Sequence, residues 1–311
     1  MAAEIEDTYA EGFRSIYAEF LVTARDPTWL AHCCHAVTGH ASSTILCDSE
    51  AGVAQYLDGA APGQETPDGR PGAIIQVHVP RFRKDRERHL ERVLLARISQ
   101  NVLTCPTARC FNRLNATTGF FKLGRKIAFF GDGHQFRDVR YGEPGWVIPT
   151  MGGEFFLSRR FGYADGIMGG NLWFMGESED TALAAAERGV AAIGQCPDTI
   201  TPFPGGIAAS ASKAGSKYSF LIASTFAEYC PTLKSRLGAA SRVPLGVASI
   251  MEIVINGSNL QAVAGATHAA IEASRESPGL VKISAGNYGG RLGKSFIYLR
   301  QEQHAAQPAR T

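Results

Sequence analysis

Several features that sort proteins into classes are missing from this chain. No apolar run approaches the ~18 residues that suggest a membrane-spanning helix. The opening M-A-A-E-I-E-D is acidic and lacks the basic and apolar regions of a secretory leader, so a cytoplasmic location is expected. Neither sign of charge dominates. Lys and Arg number 31 against 29 Asp and Glu, a formal net charge of +2, which makes no electrostatic case for nucleic acid. The phosphate loop G-x-x-x-x-G-K-[ST] is absent. So is a strand-to-helix G-x-G-x-x-G with a later acidic residue, and so is the G-x-S-x-G nucleophile elbow. The seven cysteines, Cys33, Cys34, Cys47, Cys105, Cys110, Cys196 and Cys230, are odd in number. A disulfide framework is not expected in a chain of this length without a leader. The stretch His32-Cys33-Cys34-His35 carries the residue types of a metal site. Its neighbours diverge on a helix and no paired C-x-x-C follows, so partly buried helix cysteines and no metal are expected.

With 311 residues, 45% hydrophobic and 19% charged, the chain can build two modest lobes or one large domain. The pattern reads as a β-α-β-β-α-β unit followed by a second. In the first, Phe13–Ala24 is a strand. Asp26 and Pro27 then start a helix as N-cap and first-turn residue, running to about Val37 and stopping at Gly39. Ser42–Cys47 and Ala73–Val79 are strands, Lys84–Leu103 is an amphipathic helix, and Lys126–Phe130 closes the unit as a strand. In the second, Gly153–Arg160 and Gly169–Gly176 form a hairpin around the intervening glycines. Glu179–Ile193 and Asn259–Arg275 are helices. Ile207–Ser212, Val247–Asn256, Leu280–Ala285 and Ser295–Leu299 are strands. This predicts an α+β fold of two lobes, residues 1–148 and 149–300, with helices on one face of mostly antiparallel sheets. Residues 301–311 form a frayed tail.

One segment stands apart from this pattern. Thr201–Phe220 reads T-P-F-P-G-G-I-A-A-S-A-S-K-A-G-S-K-Y-S-F. Gly205 and Gly206 permit close backbone approach, Ser210, Ser212 and Ser216 bring small hydroxyls, and Lys213 and Lys217 bring cations with no acidic residue in all twenty positions. This is either a flexible loop or a surface for a small anionic or heavily hydrogen-bonding ligand. The lysines, four apart, would share a helix face or one side of a strand. Glu252, within I-M-E-I-V-I, either faces water on a half-buried strand or sits desolvated, where its raised pKa would suit a general acid. Asn256 shares its face. Lys282 in V-K-I-S could lean either way. Asn287-Tyr288-Gly289-Gly290 is a turn whose tyrosine either packs or stacks on a planar ring. Asp132, in F-F-G-D-G, either binds a ligand or shapes an Asx turn.

M-E-I-V-I-N-G at Met251–Gly257, V-K-I-S-A-G-N-Y-G-G at Val281–Gly290 and the Thr201–Phe220 stretch together resemble the formylmethanofuran:tetrahydromethanopterin formyltransferases. I-E-D-T-Y-A-E-G-F at Ile5–Phe13, E-T-P-D-G-R-P-G at Glu65–Gly72 and F-F-G-D-G at Phe129–Gly133 extend the resemblance over roughly Glu4 to Leu299. The resemblance implies two ferredoxin-like lobes and transfer of a formyl group between methanofuran and N5 of tetrahydromethanopterin, with no tightly bound cofactor. It implies Glu252 as catalytic acid and base. Gly205, Gly206, Ser210, Ser212, Lys213, Lys217, Asn256, Asn287, Tyr288 and Asp132 would contact substrate, the lysines at carboxylates or phosphate. It also implies a homotetramer with clefts near subunit contacts, in one of two settings: a methane-forming archaeon, or a bacterial formyltransferase/hydrolase complex in methylotrophic formaldehyde oxidation. The near-neutral charge and the arginines point to the second. Two other classes are weighed, a non-catalytic assembly subunit of such a complex and a pterin-binding module. Retention of Glu252, the Gly-Gly pair and the serine-lysine segment speaks against the first. Ala54–Pro62, Lys234–Pro244 and His32–His35 follow no pattern of the family.

Overall fold

The computed structural model describes residues 2–43, 47–115, 118–209 and 212–300. In chain order the elements are β1 (Glu4–Ile5), β2 (Tyr9–Thr23), α1 (Pro27–Ser42), β3 (Glu50–Leu57), β4 (Gly72–Pro80), α2 (Arg86–Arg97), β5 (Arg109–Asn112), β6 (Gly119–Phe121), α3 (Leu123–Ala128), β7 (Phe136–Arg140), β8 (Glu143–Thr150), β9 (Gly153–Ser158), β10 (Phe161–Gly176), α4 (Glu179–Ile193), β11 (Thr199–Ile200), β12 (Ser212–Ala214), β13 (Ala223–Thr225), α5 (Lys234–Leu237), β14 (Ser249–Gly257), α6 (Leu260–Ser274), β15 (Leu280–Ser284) and β16 (Ser295–Tyr298). They form two compact units, residues 14–166 and residues 1–13 with 167–311. The chain passes between the units twice, each time within a long strand, β2 and β10.

In unit 14–166 the strands run β3-β4-β2-β5-β9-β8-β7. All neighbours are antiparallel except β5 and β9. Asp26 caps α1, its carboxylate accepting from Trp29 N at 3.0 Å. Leu30, Cys33, Cys34, Val37 and Ala41 repeat at helical spacing and are buried, meeting Phe20, Val22, Ile75 and Val77 of the sheet in one core. The E-T-P-D-G-R-P-G turn owes its form to Asp68. Its carboxylate, fully shielded from solvent, accepts from Arg70 Nε at 2.7 Å, Arg109 Nη1 at 2.8 Å and Thr23 Oγ1 at 2.9 Å. Burial alone would raise its pKa, but these cations and hydrogen bonds hold it below the ordinary carboxylate value.

In the other unit the order is β11-β14-β10-β15-β1, with β1 and β15 parallel and the other pairs antiparallel. β16 pairs with Tyr9–Gly12 of β2. Helices α4 and α6 pack on each other and on β14. Their alanine-rich faces (Ala182, Ala185, Ala186, Ala266, Ala270) let them approach Ile253, Ile255 and Phe174 closely. Ser178 and Asn259 cap them, their side chains accepting from Thr181 N and Ala262 N.

Several expectations are corrected. Lys126–Phe130 is not a strand. Leu123, Gly124, Ile127 and Ala128 form the buried stripe of helix α3, and Phe129–Gly131 a 3₁₀ turn. α1 passes through the exposed Gly39 to Ser42, since an exposed helical glycine costs only ~1 kcal/mol. The strand expected at Ser42–Cys47 begins at Glu50 instead, residues 44–46 lying outside the described residues. Gly153–Arg160 and Gly169–Gly176 do not make a hairpin. β9 pairs with β8 and β5, and the glycines lie inside one 16-residue strand, β10. Of the meander β7-β8-β9, only the strand at Gly153–Arg160 was anticipated. Cys33 and Cys34 are buried in the α1 face, and the His32 ring lies edge-on to Trp29.

Candidate active site

Strand β14 carries Glu252 beside Trp173 of β10 in an antiparallel pair. Glu252 Oε1 accepts from Asn171 Nδ2 at 2.9 Å and from Trp173 Nε1 at 3.0 Å. Oε2 makes no hydrogen bond to the described residues. One oxygen is therefore fixed by two donors and the other is not. Burial pushes the Glu252 carboxyl above its ordinary pKa, and the two donors only partly offset this. The burial has identifiable causes. Trp173 and Met175 cluster with Val243 and Val247, and Phe226 and Tyr229 meet the Trp173 ring at 5.5 and 4.7 Å between centroids. On the other side Ala208 lies across Glu252, their backbones exchanging N–H···O bonds of 2.8 and 2.9 Å. The Thr201–Ala208 backbone is thus laid against the carboxylate-bearing strand.

Pro204–Gly206 forms a 3₁₀ turn in which Gly205 (φ 61°) and Gly206 (φ 79°) are left-handed. A Cβ on Gly206 would lie 2.7 Å from Thr201 Oγ1 and 2.9 Å from Val190, so position 206 admits only glycine without rearrangement. Gly206 N donates to Phe203 O and Ile207 N to Pro204 O, so both N–H groups are engaged within the turn. Ser212 and Lys213 stand on β12, hydrogen-bonded to β13 in a two-stranded hairpin, and Lys217 lies in its turn with Nζ 5.0 Å from the Tyr218 ring centroid. No helix places the two lysines on a common face. Ser210 lies outside the described residues.

Tyr288 joins the hairpin to the sheet. Its hydroxyl donates to Ser212 O at 3.0 Å, and its ring lies 6.4 Å from that of Phe226. The turn that carries it is held by a residue that sequence reasoning did not single out. Glu11 Oε1 accepts from Tyr288 N and Gly290 N at 2.6 Å each, and Oε2 from Leu292 N and Gly293 N at 3.1 Å each. Burial alone would raise the Glu11 pKa, but the four N–H groups together hold it below the ordinary value. Asn287 Nδ2 donates to Thr8 Oγ1 and Tyr9 O, so its amide is engaged in fixing the same turn. Asn256 is fully buried and its Oδ1 accepts from Gly169 N at 3.0 Å, across the register shift between β10 and β14. Lys282 pairs with Glu4 at 3.1 Å. Asp132 is exposed at the left-handed end of the 129–131 turn, in unit 14–166.

Asn171, Trp173, Glu11 and Gly286 were therefore missed. A Cβ on Gly286 would lie 2.7 Å from the Trp173 ring and 2.9 Å from Asn171 Nδ2, so its bare backbone keeps the Glu252 donors in position. The available signal was Trp173: a strand tryptophan between apolar residues needs an acceptor for its N–H.

A family model described as formylmethanofuran-tetrahydromethanopterin formyltransferase matches residues 1–150, and a second, its proximal lobe, matches 153–301. The formylmethanofuran–tetrahydromethanopterin formyltransferase of Archaeoglobus fulgidus is 43% identical over 300 residues, covering 96% of this chain and 97% of that protein. That of Methanopyrus kandleri is 44% identical over 299 residues, with coverage of 95% and 97%. The solved formyltransferase of Methanosarcina barkeri superposes with a TM-score of 0.87 at 42% identity, covering 96% of this chain and 97% of that one. A chain of the formyltransferase/hydrolase complex of Methylorubrum extorquens, solved with methylofuran, superposes with a TM-score of 0.85 at 38% identity and 95% coverage of each. The likeness holds across both matched stretches and nearly the full length of every one of these relatives, and the chain accordingly belongs to the formylmethanofuran–tetrahydromethanopterin formyltransferase family.

Proposed function

We propose that this protein transfers a formyl group between methanofuran and N5 of tetrahydromethanopterin, with Glu252 as the proton-transfer group. The observation that carries the reading is the half-held carboxylate: Oε1 pinned by Asn171 and Trp173, Oε2 open, and burial raising its pKa. In direct transfer the acceptor amine attacks the formyl carbon, a tetrahedral adduct forms, and the old C–N bond breaks as the donor nitrogen leaves. One C–N bond forms, one breaks, and one proton moves from the acceptor nitrogen to the leaving nitrogen. A single carboxyl whose pKa lies nearer neutrality than usual can accept that proton and return it. No covalent enzyme intermediate is required, and positioning of two substrates supplies much of the rate.

Asn171 Oδ1 is buried with no partner among the described residues, and a substrate N–H would satisfy it. The Ser212 hydroxyl, free of hydrogen bonds to the described residues, is an oxyanion donor to be tested. Lys213 and Lys217 are assigned to substrate carboxylates and the Tyr288 ring to a planar substrate face. Each unit is read as a ferredoxin-like lobe; the order β3-β4-β2-β5 of a β-α-β-β-α-β segment supports this for unit 14–166. The protein is read as cytoplasmic, working as a homotetramer or with hydrolase subunits. The Methylorubrum relative, itself part of a formyltransferase/hydrolase complex, supports the latter arrangement.

The test is formyl exchange between formylmethanofuran and tetrahydromethanopterin by the purified protein, beside Glu252→Gln. Turnover should fall ~100-fold or more in the variant with both substrates still bound. Survival of turnover would move the proton transfer elsewhere. Activity only on adding hydrolase subunits would identify the assembly as the working unit.

A further inference from the structure

Unit 14–166 gathers cations that have no counter-charge among the described residues. Lys122, Arg125, Arg137, Arg159 and Arg160 line one hollow of about 160 Å³ with Trp146. The fold brings them together from three places. Lys122 and Arg125 lie at the start of α3, and Arg137 faces Trp146 as its cross-strand partner between β7 and β8. Arg159 and Arg160 form the link from β9 to β10, anchored by Arg159 N donating to Pro144 O.

All five are exposed and none forms an ion pair among the described residues. This is not the habit of the unit. Arg14, Arg70, Arg81, Arg97, Arg109 and Arg140 each have a carboxylate partner. The nearby acids are engaged elsewhere: Asp138 and Glu154 with Arg140, and Glu143 with the Ser158 hydroxyl. Glu143 lines the adjoining hollow with Arg159 and Arg160.

A second observation is independent of charge. Trp146 Nε1 is buried and has no acceptor among the described residues. The Arg137 guanidinium sits 5.4 Å from the Trp146 ring centroid, which holds it over the indole face and leaves its N–H edges for other partners. A buried N–H without a partner is rare in a folded protein. Mutual repulsion among five close cations opposes the fold unless an anion relieves it. The hollow has room for roughly five waters' worth of atoms, enough for one or two oxyanion groups.

We propose that this hollow is an anion-binding site for a multivalent oxyanion, carboxylate or phosphate, gripped by the Lys122, Arg125, Arg137, Arg159 and Arg160 cluster and accepting from Trp146 Nε1. Planar guanidinium forks suit both kinds of group bidentately. The assignment does not depend on the chemistry at Glu252.

The full chain is titrated with tripolyphosphate and with tricarballylate at 50 and 200 mM salt, followed by calorimetry and tryptophan fluorescence. Saturable binding of one probe per chain is expected, weaker at the higher salt, with a fluorescence change that Trp146→Phe abolishes. The double variant Arg125→Gln/Arg159→Gln should lose binding at least tenfold, and Lys84→Gln, which removes an exposed lysine elsewhere, should not. Tighter tripolyphosphate would assign the site to phosphates, and tighter tricarballylate to carboxylates. The cluster's side chains are exposed and repel one another, so the double variant should melt no lower than wild type. Unchanged affinity in that folded variant would overturn the proposal, as would absence of saturable binding of either probe into the millimolar range at 50 mM salt.

Discussion

At Glu252 the protonation state and the stability of the protein are linked. Burial makes the native state hold this proton more tightly than the unfolded chain does. The stability gained from that is fully present below the ordinary glutamate range and is lost as pH rises through the raised pKa. Glu252→Gln keeps an acceptor for Asn171 and Trp173 but carries no charge. Its melting temperature should equal wild type near pH 4 and match or exceed it at pH 8; a deficit that grows with pH would contradict the assignment. Asn171→Leu removes one donor to the charged form, so the pH–rate profile should move to higher pH with reduced turnover. If only substrate affinity changed, Asn171 would be a binding residue. The motif around Glu252 made the carboxylate legible, because a charge inside I-M-E-I-V-I demands a reason. Of its two donors, Trp173 left only the hint of an indole N–H in need of an acceptor, and Asn171 was not legible, since the cross-strand register that joins G-G-N-L-W-F-M-G to β14 is nonlocal.

Two turns around the site make opposite use of the backbone. In Pro204–Gly206, glycine is needed for space at one position and only for conformation at the other. Gly205→Ala meets no atom within 4 Å and should cost about 1 kcal/mol for its left-handed backbone. Gly206→Ala also collides with Thr201 and Val190 and should cost more than ~2 kcal/mol. Denaturant melts of the pair separate the two effects. The 288–293 turn instead depends on a side chain. Glu11→Gln replaces one acceptor oxygen with a donor facing backbone N–H groups, and should destabilise the protein by about 1–3 kcal/mol. Because Glu11 is held below its ordinary pKa, its contribution is present above the ordinary carboxyl range and fades as pH falls through the lowered value. The difference between variant and wild type should shrink in acid. The long helices were legible because a 3.6-residue repeat and a capping residue are local signals, as at Asp26. α3 was not, since six residues span fewer than two turns and leave no periodicity to read.

For the whole molecule, the sequence suggested two successive lobes, and the compact units are interleaved: residues 14–166 lie between two stretches of the other. Both crossings fall inside strands, at Phe13–Arg14 in β2 and Gly166–Ile167 in β10, so no break between elements marks them. A fragment ending at residue 150 lacks β9, the partner of both β5 and β8. It should give broad, non-cooperative melts, whereas residues 14–166 should melt as a cooperative unit. Equal cooperativity would show β9 to be dispensable. The Glu11 clamp bears on how such a molecule is made. Tyr288 lies 277 residues downstream of Glu11, and Gly293 lies 282. During synthesis, at least 277 further residues follow Glu11 before any of its four N–H partners exists. The turn that carries Tyr288 cannot be held by this clamp until that whole stretch has been translated.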